Sequence, residues 1–206
     1  MMTGGLRVPF VPTPELVVRR MLTLANVKPG ELVYDLGAGD GRVLSSAARD
    51  FAARAVGVEL HASRYTDILE RVKRERLTDR VKIIRGDFFR ISLTDADVVT
   101  LYLLSSVNRM IRPKLERELK PGTRVVSHDF LIRGWTPLRS EKVRDQYGTH
   151  MVYLYQAPSS FINRPVHHRH RPNHISPIMN NLPWLLRERR NGLNIANQKP
   201  AQRSLG

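Results

Sequence analysis

Three glycines and two carboxylates stand close together near residue 40 of this 206-residue chain. Gly37, Gly39 and Gly41 form a G-x-G-x-G run, with Asp35 before it and Asp40 inside it. Glycines let a loop approach a ligand closely, but a dinucleotide-binding loop has G-x-G-x-x-G spacing and receives a pyrophosphate. Acidic side chains disfavour that anion and suit a ligand that carries an ammonium or sulfonium cation. No G-K-[ST] follows the glycines, which excludes a P-loop.

Two more acids follow the next two predicted strands. Glu59 ends the second strand, where a carboxylate can accept hydrogen bonds from both hydroxyls of a ribose. Asp87 follows the third strand and can accept from an adenine amino group, with Phe88 packing on the ring. For each acid alone, a helix cap or a solvated loop is the simpler interpretation. Together, at three consecutive strand ends, the acids predict a site for an adenosine-containing cofactor.

The elements that must position these side chains are indicated by the hydropathy pattern. Strands are predicted at 32–36, 55–59, 81–84, 97–104, 123–127 and 150–155, and helices at 13–26, 42–51, 62–77 and 111–119. Strands that alternate with helices indicate a parallel sheet covered on both faces. Thr13, followed by Pro14, is predicted to cap the first helix. Ligands of such sheets bind beyond the carboxyl ends of the strands, where the acids lie.

The segment YDLGAGDGR at 34–42 resembles motif I of the class I S-adenosylmethionine-dependent methyltransferases. Val58-Glu59 and Gly86-Asp87-Phe88 resemble the ribose-binding and adenine-binding motifs of that fold. The segments PFVPTP, DVVTLYL and PGTRVVSH, which begin at residues 9, 97 and 121, are similar to the small seven-strand protein-lysine methyltransferases. That family includes archaeal enzymes of broad specificity and the mitochondrial enzyme that methylates a lysine of the ATP synthase c-ring protein. The resemblance covers roughly residues 8–156.

This resemblance implies a Rossmann-like, seven-strand α/β sheet with helices on both faces, and S-adenosyl-L-methionine as the cofactor. The implied cofactor-binding residues are Phe10, Thr13, Asp35, Gly37, Ala38, Gly39, Asp40, Glu59, Asp87 and Phe88. Phe10 and Thr13 are expected to close over the methionine end. Tyr102 and Asn108 are the first candidates for orienting a lysine amine, in a channel lined by the strand end and a loop at 105–108. Core packing is the equally weighted alternative for Tyr102.

Two residues at the end of a later strand, His128 and Asp129, are further candidates for the site. A hydrogen bond within the loop is the favoured alternative for both.

Composition limits the reactions and the partners. The chain contains no cysteine, which excludes disulfides, thiolate metal sites and any reaction through a cysteine adduct, including C5 methylation of pyrimidines. A net charge of +15 favours polyanionic or acidic partners. The first residues lack the pattern of a signal peptide, and no apolar run approaches the ~20 residues of a membrane span. We therefore expect no membrane association, and a cytoplasmic or other intracellular location, with the nucleoid or chromatin as a place of association.

The composition changes near residue 156. Residues 1–156 contain 26 basic and 18 acidic residues, net +8, whereas residues 157–206 contain 8 basic and 1 acidic, net +7. The second segment is also rich in Pro, Asn and His. These features predict a methyltransferase domain over 1–156 and a disordered basic tail over 157–206 that can hold nucleic acid electrostatically. The histidines of the tail have arginine neighbours, which repel a cation, so no metal site is predicted there; they are His167, His168, His170 and His174.

The predicted function is transfer of methyl groups from S-adenosylmethionine, in the first place to lysine side chains of proteins, by a monomer. RNA or DNA base methylation is the alternative. Enzymes that methylate the adenine amino group usually have [DN]-P-P-[YFW] after the fourth strand, where this chain has LLSS at 103–106. A non-enzymatic nucleic-acid-binding protein on a retired methyltransferase fold fits the charge, although such a site need not keep Glu59 and Asp87. The glycine spacing disfavours an NAD-dependent dehydrogenase.

Overall fold

The computed structural model describes residues 10–161. The strands are β1 (Leu32–Leu36), β2 (Arg54–Glu59), β3 (Val81–Arg85), β4 (Val98–Leu101), β5 (Arg124–His128), β6 (Arg139–Asp145) and β7 (Gly148–Gln156). The α-helices are α1 (Glu15–Leu24), α2 (Arg42–Asp50), α3 (Ala62–Arg74) and α4 (Ser105–Glu118). Short 3-10 turns follow at Phe88–Arg90 and Ser159–Phe161.

All seven strands form one sheet with the order β3-β2-β1-β4-β5-β7-β6. The five strands from β3 to β5 are parallel, whereas β7 runs antiparallel to β5, and β6 antiparallel to β7. The predicted α/β class and the parallel sheet are confirmed for the first five strands, but the complete sheet is mixed. Only two residues join Asp145 of β6 to Gly148 of β7, and so short a connection joins antiparallel strands only.

Helices cover both faces of the sheet. On one face, Val18 and Leu22 of α1, Leu44 of α2 and Ile68 of α3 belong to a single buried apolar cluster. On the other face, α4 packs through Val107, Ile111 and Leu115 against the central strands, with Trp135 and Tyr155 in the same cluster. This double cover leaves the carboxyl ends of the parallel strands as the open edge of the domain.

Two elements differ from their predicted bounds for local reasons. Helix α4 begins at Ser105 and includes the predicted loop 105–108. The reason is that Val107, Ile111 and Leu115 form one continuous buried face of the helix. Pro113 lies within the helix and obscures this pattern in the sequence. Strand β6 is an addition to the predicted elements, because the segment RSEKVRD carries one buried apolar side chain, Val143, and forms the edge of the sheet.

The fold continues five residues beyond the predicted domain boundary at 156. The Ala157 amide donates to the carbonyl of Thr123 at 2.8 Å, and the Ala157 carbonyl accepts from Gly122 at 2.8 Å. Ser160 is buried and accepts from the Gln156 amide at 3.0 Å. The remainder of the predicted tail, with its four histidines, lies outside the described residues. Within 10–161, no helix is long and apolar enough to cross a bilayer.

Candidate functional site

The glycine loop after β1 is held against the end of β2 by backbone hydrogen bonds. The amides of Gly37 and Ala38 both donate to the carbonyl of Val58, at 2.9 and 3.0 Å. Gly39 has a φ of 59°, in the left-handed region, and a Cβ added there would lie 2.5 Å from the ring of Phe10. Only glycine meets both conditions without strain, so the predicted close approach at this loop is present.

Glu59 joins this loop to the end of β2. The side chain is buried; its Oε2 accepts from the Gly39 amide at 3.0 Å, and its Oε1 accepts from the His61 amide at 2.8 Å. The Arg64 guanidinium lies 3.3 Å from Oε1 and stacks over the Phe10 ring. A carboxylate offers about four acceptor positions, so Glu59 retains capacity for the hydroxyls of a ribose.

The two acids of the loop differ in charge environment. Burial raises the pKa of Asp35 to about 7, although Thr100 donates to its Oδ1 at 2.7 Å, and the charges of Asp40 and Glu59 raise it further. A bound cation would favour the ionised form of this carboxyl. Asp35 is therefore the acid of the loop whose ionised form a nearby cation would stabilise.

Asp40 already has cationic partners. It lies 2.6 Å from Arg42 and 3.4 Å from Arg71. Burial opposes ionisation of Asp40, but the hydrogen bonds and charge of Arg42, with the charge of Arg71, outweigh it and lower the pKa. Asp40 therefore lines the site as half of an ion pair. Attraction of a cation by the acids of the loop stays a prediction, and Asp35 is the acid to which we assign it.

The end of β3 supplies an acceptor and an aromatic wall. Asp87 Oδ1 accepts from the Phe89 amide at 2.9 Å and caps the short turn that follows. Its Oδ2 makes no hydrogen bond with the residues that the structure describes. The rings of Phe88 and Phe89 lie 4.9 Å apart, centroid to centroid, beside it. This arrangement is compatible with an adenine ring and its amino group.

These groups border one cavity of about 400 Å³, a volume within the range of small-molecule sites. Eleven of the twelve predicted site residues line it: Phe10, Thr13, Asp35, Gly37, Ala38, Gly39, Asp40, Glu59, Asp87, Phe88 and Tyr102. The exception is Asn108. The structure therefore brings together strand ends that are up to 65 residues apart in the chain, such as Asp35 and Thr100.

Thr13 lines the cavity but does not cap α1 as predicted. The helix begins at Glu15 with Pro14 as its N-cap and no side-chain cap. The Thr13 hydroxyl instead lies 3.2 Å from Nδ1 of His128, and the Thr13 carbonyl accepts from Arg42 at 2.8 Å. Because both contacts join distant parts of the chain, Thr13 ties the segment before α1 to the end of β5 and to the glycine loop.

Tyr102 follows β4 and borders the cavity, half-buried, so core packing alone does not describe it. Its ring packs on the imidazole of His128, with centroids 3.9 Å apart, and lies 6.1 Å from Phe130. Burial, with the charge of Asp129, raises the pKa of the Tyr102 phenol well above its ordinary value. The phenol is therefore neutral at physiological pH and can both donate and accept a hydrogen bond.

Asn108 does not reach the cavity, and its predicted role in orienting a substrate amine is wrong on this geometry. The side chain is fully buried, and its Nδ2 donates to the Phe130 carbonyl at 3.1 Å and to Ser127 Oγ at 3.4 Å. The reason is that residues 105–108 form the first turn of α4, which places Asn108 against the loop after β5. Asn108 supports that loop.

Several lining residues were missed by the sequence analysis. Leu60 and Met110 are 61% and 51% exposed and add apolar surface to the wall of the cavity. Arg64 covers Phe10 from the first turn of α3. Leu60 could have been predicted to line the cavity, because it directly follows Glu59 in the sequence. Met110 gives no such signal, because the hydropathy pattern predicts the start of α4 only at residue 111, whereas the helix begins at Ser105.

The chain matches the model of the ANTKMT methyltransferase domain over residues 35–139. A protein-lysine N-methyltransferase of Saccharolobus islandicus (strain REY15A) is 53% identical over 149 residues, which cover 72% of this chain and 92% of that protein. The adenine nucleotide translocase lysine N-methyltransferase of Mus musculus is 34% identical over 133 residues, covering 65% of this chain and 58% of that protein. The chain thus spans less than two thirds of the length of the mouse relative.

Among solved structures, an RNA methyltransferase from Salinibacter ruber in complex with S-adenosyl-L-homocysteine has a TM-score of 0.68 and 39% identity. The match covers 78% of this chain and all of that chain. The cavity fits S-adenosyl-L-methionine on its own chemistry: Glu59 for the ribose, Asp87 and Phe88 for the adenine, and Asp35 for positive charge. The chain belongs to the ANTKMT methyltransferase family and is an S-adenosylmethionine-dependent methyltransferase of class I.

Proposed function

We propose that this methyltransferase acts on lysine side chains of proteins. The observation that carries the proposal is the wall of the cavity beyond β4. Here Leu103, Val107 and Met110 stand beside the neutral phenol of Tyr102. The 53% identical relative from S. islandicus, named as a protein-lysine N-methyltransferase, supports the same substrate class.

The chemistry explains why such a wall suits an amine. S-adenosyl-L-methionine supplies a methyl group on a sulfonium ion for in-line displacement. A lysine amine attacks only when neutral, whereas its ordinary pKa is about 10.4. An apolar surround disfavours the ammonium form and lowers that pKa. Leu103, Val107 and Met110 provide the apolar surround, and Tyr102 can accept a hydrogen bond from the amine and orient its lone pair.

The two sides of the cavity differ in charge, and each side suits one of the two reactants. Glu59, Asp87 and Asp35 lie on the ends of β2, β3 and β1, whereas the apolar wall follows β4. A cationic cofactor is favoured on the acidic side, and a neutral amine on the apolar side. The protein thereby contributes position and electrostatics, which are the main requirements of a displacement whose reactive group comes from the cofactor.

RNA is the second candidate substrate, because the 39% identical S. ruber protein is named an RNA methyltransferase. The net charge of +15 also suits a polyanion. Against it, the described residues after β4 present no amide or carboxylate to the cavity for the amino group of a base, since Asn108 is turned to the loop after β5.

The two candidates are separated by labelling a cell lysate with the enzyme and methyl-labelled S-adenosylmethionine. Acid-precipitable label is then treated with ribonuclease or with protease. We expect the label to survive ribonuclease and to be released by protease. Release by ribonuclease alone would overturn the lysine proposal in favour of RNA. The Glu59→Gln variant, which we expect to bind the cofactor poorly, is the blank.

A second, independent proposal concerns the segment beyond Phe161. We infer that its basic residues hold the enzyme near nucleic acid, since 157–206 has net +7 and a single acid. Removal of residues 162–206 leaves the packed residues 157–161 in place. The shortened chain should lose salt-dependent DNA binding and keep its affinity for the cofactor; unchanged DNA binding would contradict the inference.

A further inference from the structure

Three buried polar side chains converge behind Tyr102, at the ends of β5 and β7. Nε2 of His128 lies 3.1 Å from Nδ1 of His150. Oδ2 of Asp129 lies 3.3 Å from the first of these nitrogens and 3.6 Å from the second. Both imidazoles are fully buried, and the Asp129 side chain is 4% exposed. His128 and His150 are 22 residues apart in the chain, so the sequence alone does not indicate this cluster.

The three distances match those between ligands of one metal ion. Zinc is bound tetrahedrally by imidazole nitrogen at about 2.0–2.1 Å and by carboxylate oxygen at about 2.0–2.2 Å, which sets neighbouring ligand atoms about 3.3–3.5 Å apart. The observed separations of 3.1, 3.3 and 3.6 Å lie around that value. Two imidazoles and one carboxylate are the protein ligands of one known class of zinc site, in which water or another ligand takes the fourth position.

The outer nitrogens of both imidazoles have partners of the kind that metal-bound histidines use. Nε2 of His150 lies 3.3 Å from Asp145 Oδ1, which also accepts from the Tyr147 and Gly148 amides. Nδ1 of His128 lies 3.2 Å from the Thr13 hydroxyl. Histidine ligands usually donate their second ring N–H to a carboxylate or another oxygen, which fixes the tautomer.

In these tautomers the two ring nitrogens that face each other, Nε2 of His128 and Nδ1 of His150, are unprotonated. When Nε2–H of His150 donates to Asp145, Nδ1 of His150 carries only a lone pair. When Nδ1–H of His128 donates to Thr13, Nε2 of His128 is bare as well. Two lone pairs and the carboxylate oxygen of Asp129 then face one another within 3.6 Å. In the site proposed below, a cation lies between these three atoms; without it, one imidazole donates an N–H to the other across the 3.1 Å separation.

The backbone at Asp129 is shaped to hold its carboxylate at this point. Its φ is 57°, in the left-handed region that residues other than glycine rarely adopt. The Asp129 amide donates to the Met151 carbonyl at 2.7 Å, and Oδ1 accepts from the Met151 amide at 2.8 Å. These two bonds pin the carboxylate to β7, with Oδ2 on the imidazole side. Strained backbone of this kind concentrates at functional sites.

We propose that His128, Asp129 and His150 bind one zinc ion. The ion joins the end of β5 to β7 and fixes the imidazole on which Tyr102 packs at 3.9 Å. Its role is to hold the wall of the acceptor site in shape. The inference rests on the cluster geometry and is independent of the substrate class.

The test is zinc binding by the full-length chain, stripped with a chelator and titrated calorimetrically with Zn²⁺ alone. A variant with the four tail histidines His167, His168, His170 and His174 changed to Asn controls for binding by the tail. We expect one equivalent of zinc in the parent and in the tail variant, and at least 100-fold weaker binding in His150→Asn. Absence of binding in the parent, or its loss in the tail variant alone, would overturn the proposal.

Because His150→Asn removes a buried group, a second measurement does not depend on that variant. Zinc-edge X-ray absorption of the loaded tail variant should show two imidazoles and additional oxygen in the first coordination shell, at about 2.0–2.1 Å. A shell of oxygen alone, or a shell without imidazole, would contradict the assignment.

Discussion

The Gly39 amide donates to Oε2 of Glu59 at 3.0 Å, and this bond connects the loop after β1 to the end of β2. The residue that gives the loop its close approach is thus tied directly to the expected ribose acceptor. Substitution of either residue should disturb the position of the other, and each substitution should change the affinity for the cofactor.

Glu59→Gln should weaken the binding of S-adenosylmethionine by about 10- to 100-fold, because hydrogen bonds to a charged group are worth about 1.5–3 kcal/mol. The amide replaces one acceptor oxygen by a donor and removes the charge. Calorimetry of the cofactor with each protein measures the effect. Glu70→Gln makes the same chemical change on an exposed position of α3 and should leave the affinity unchanged; an equal loss in both variants would show that Glu59 has no special role.

Gly39→Ala should abolish or strongly weaken cofactor binding, because its Cβ would meet the Phe10 ring at 2.5 Å. Gly30→Ala is the matched control, since Gly30 also has a positive φ, of 80°, but nothing lies within 4 Å of its Cβ position. Both variants should lose stability from the left-handed backbone, by about 1–2 kcal/mol. Thermal denaturation and calorimetry separate the shared loss of stability from the loss of binding that we expect only at Gly39.

The affinity for S-adenosylmethionine should rise with pH around neutrality. Burial raises the pKa of Asp35 to about 7, so the carboxyl is mostly protonated at pH 6 and mostly ionised at pH 8. If the cation binds the ionised form, affinity increases about tenfold between these values. Asp35→Asn should bind more weakly, with a flat pH profile. A parent affinity that is constant from pH 6 to 8 would rule out Asp35 as the acid that attracts the cation.

The same shift has a consequence for stability with the opposite sign. The folded chain binds the Asp35 proton more tightly than the unfolded chain, whose carboxyl has the ordinary pKa of about 3.9. The contribution of Asp35 to the free energy of unfolding is therefore greatest at low pH, falls between about pH 4 and pH 7, and is constant above. Denaturation of the parent and Asp35→Asn across this range should show the parent losing stability relative to the variant as pH rises.

Tyr102 and Asn108 should respond differently to substitution. Tyr102→Phe removes a hydroxyl at the cavity and should lower kcat, with little change in Tm. Asn108→Ala removes one of the two donors to the Phe130 carbonyl, the other being the Ser127 hydroxyl, and a buried hydrogen bond of this kind is worth about 0.5–1.5 kcal/mol. The variant should therefore have a lower Tm, with little change in kcat for the folded protein. A large loss of kcat in Asn108→Ala without a loss of Tm would return Asn108 to the catalytic role that its sequence position suggests.

The cofactor half of the site was predictable because its signals are local. Glycines, acids and strand ends fall in short segments, and parallel strands bring their carboxyl ends to one edge of the sheet. The pairing of Asp40 with Arg71 was not predictable, since Arg71 is one of many arginines in the sequence and reaches Asp40 from α3, 31 residues further along the chain.

The half of the site that receives the methyl acceptor depends on features that the sequence pattern does not indicate. A helix start displaced by six residues, from 111 to 105, moved Asn108 from a predicted loop into the first turn of α4. His150 meets His128 only because β7 returns antiparallel beside β5, in a register where His128 pairs with Val152. Such contacts follow from topology, which short motifs do not contain.

We propose that the acceptor of the methyl group is the side-chain nitrogen of lysine. The most direct measurement is chemical: the enzyme is given methyl-labelled S-adenosylmethionine and a cell lysate, the labelled macromolecules are hydrolysed, and the labelled compound is identified by chromatography and tandem mass spectrometry. We expect methylated lysine with the parent, much less of it with Glu59→Gln at the same low cofactor concentration, and none without enzyme. Label found in a methylated nucleoside, with none in lysine, would contradict the proposal.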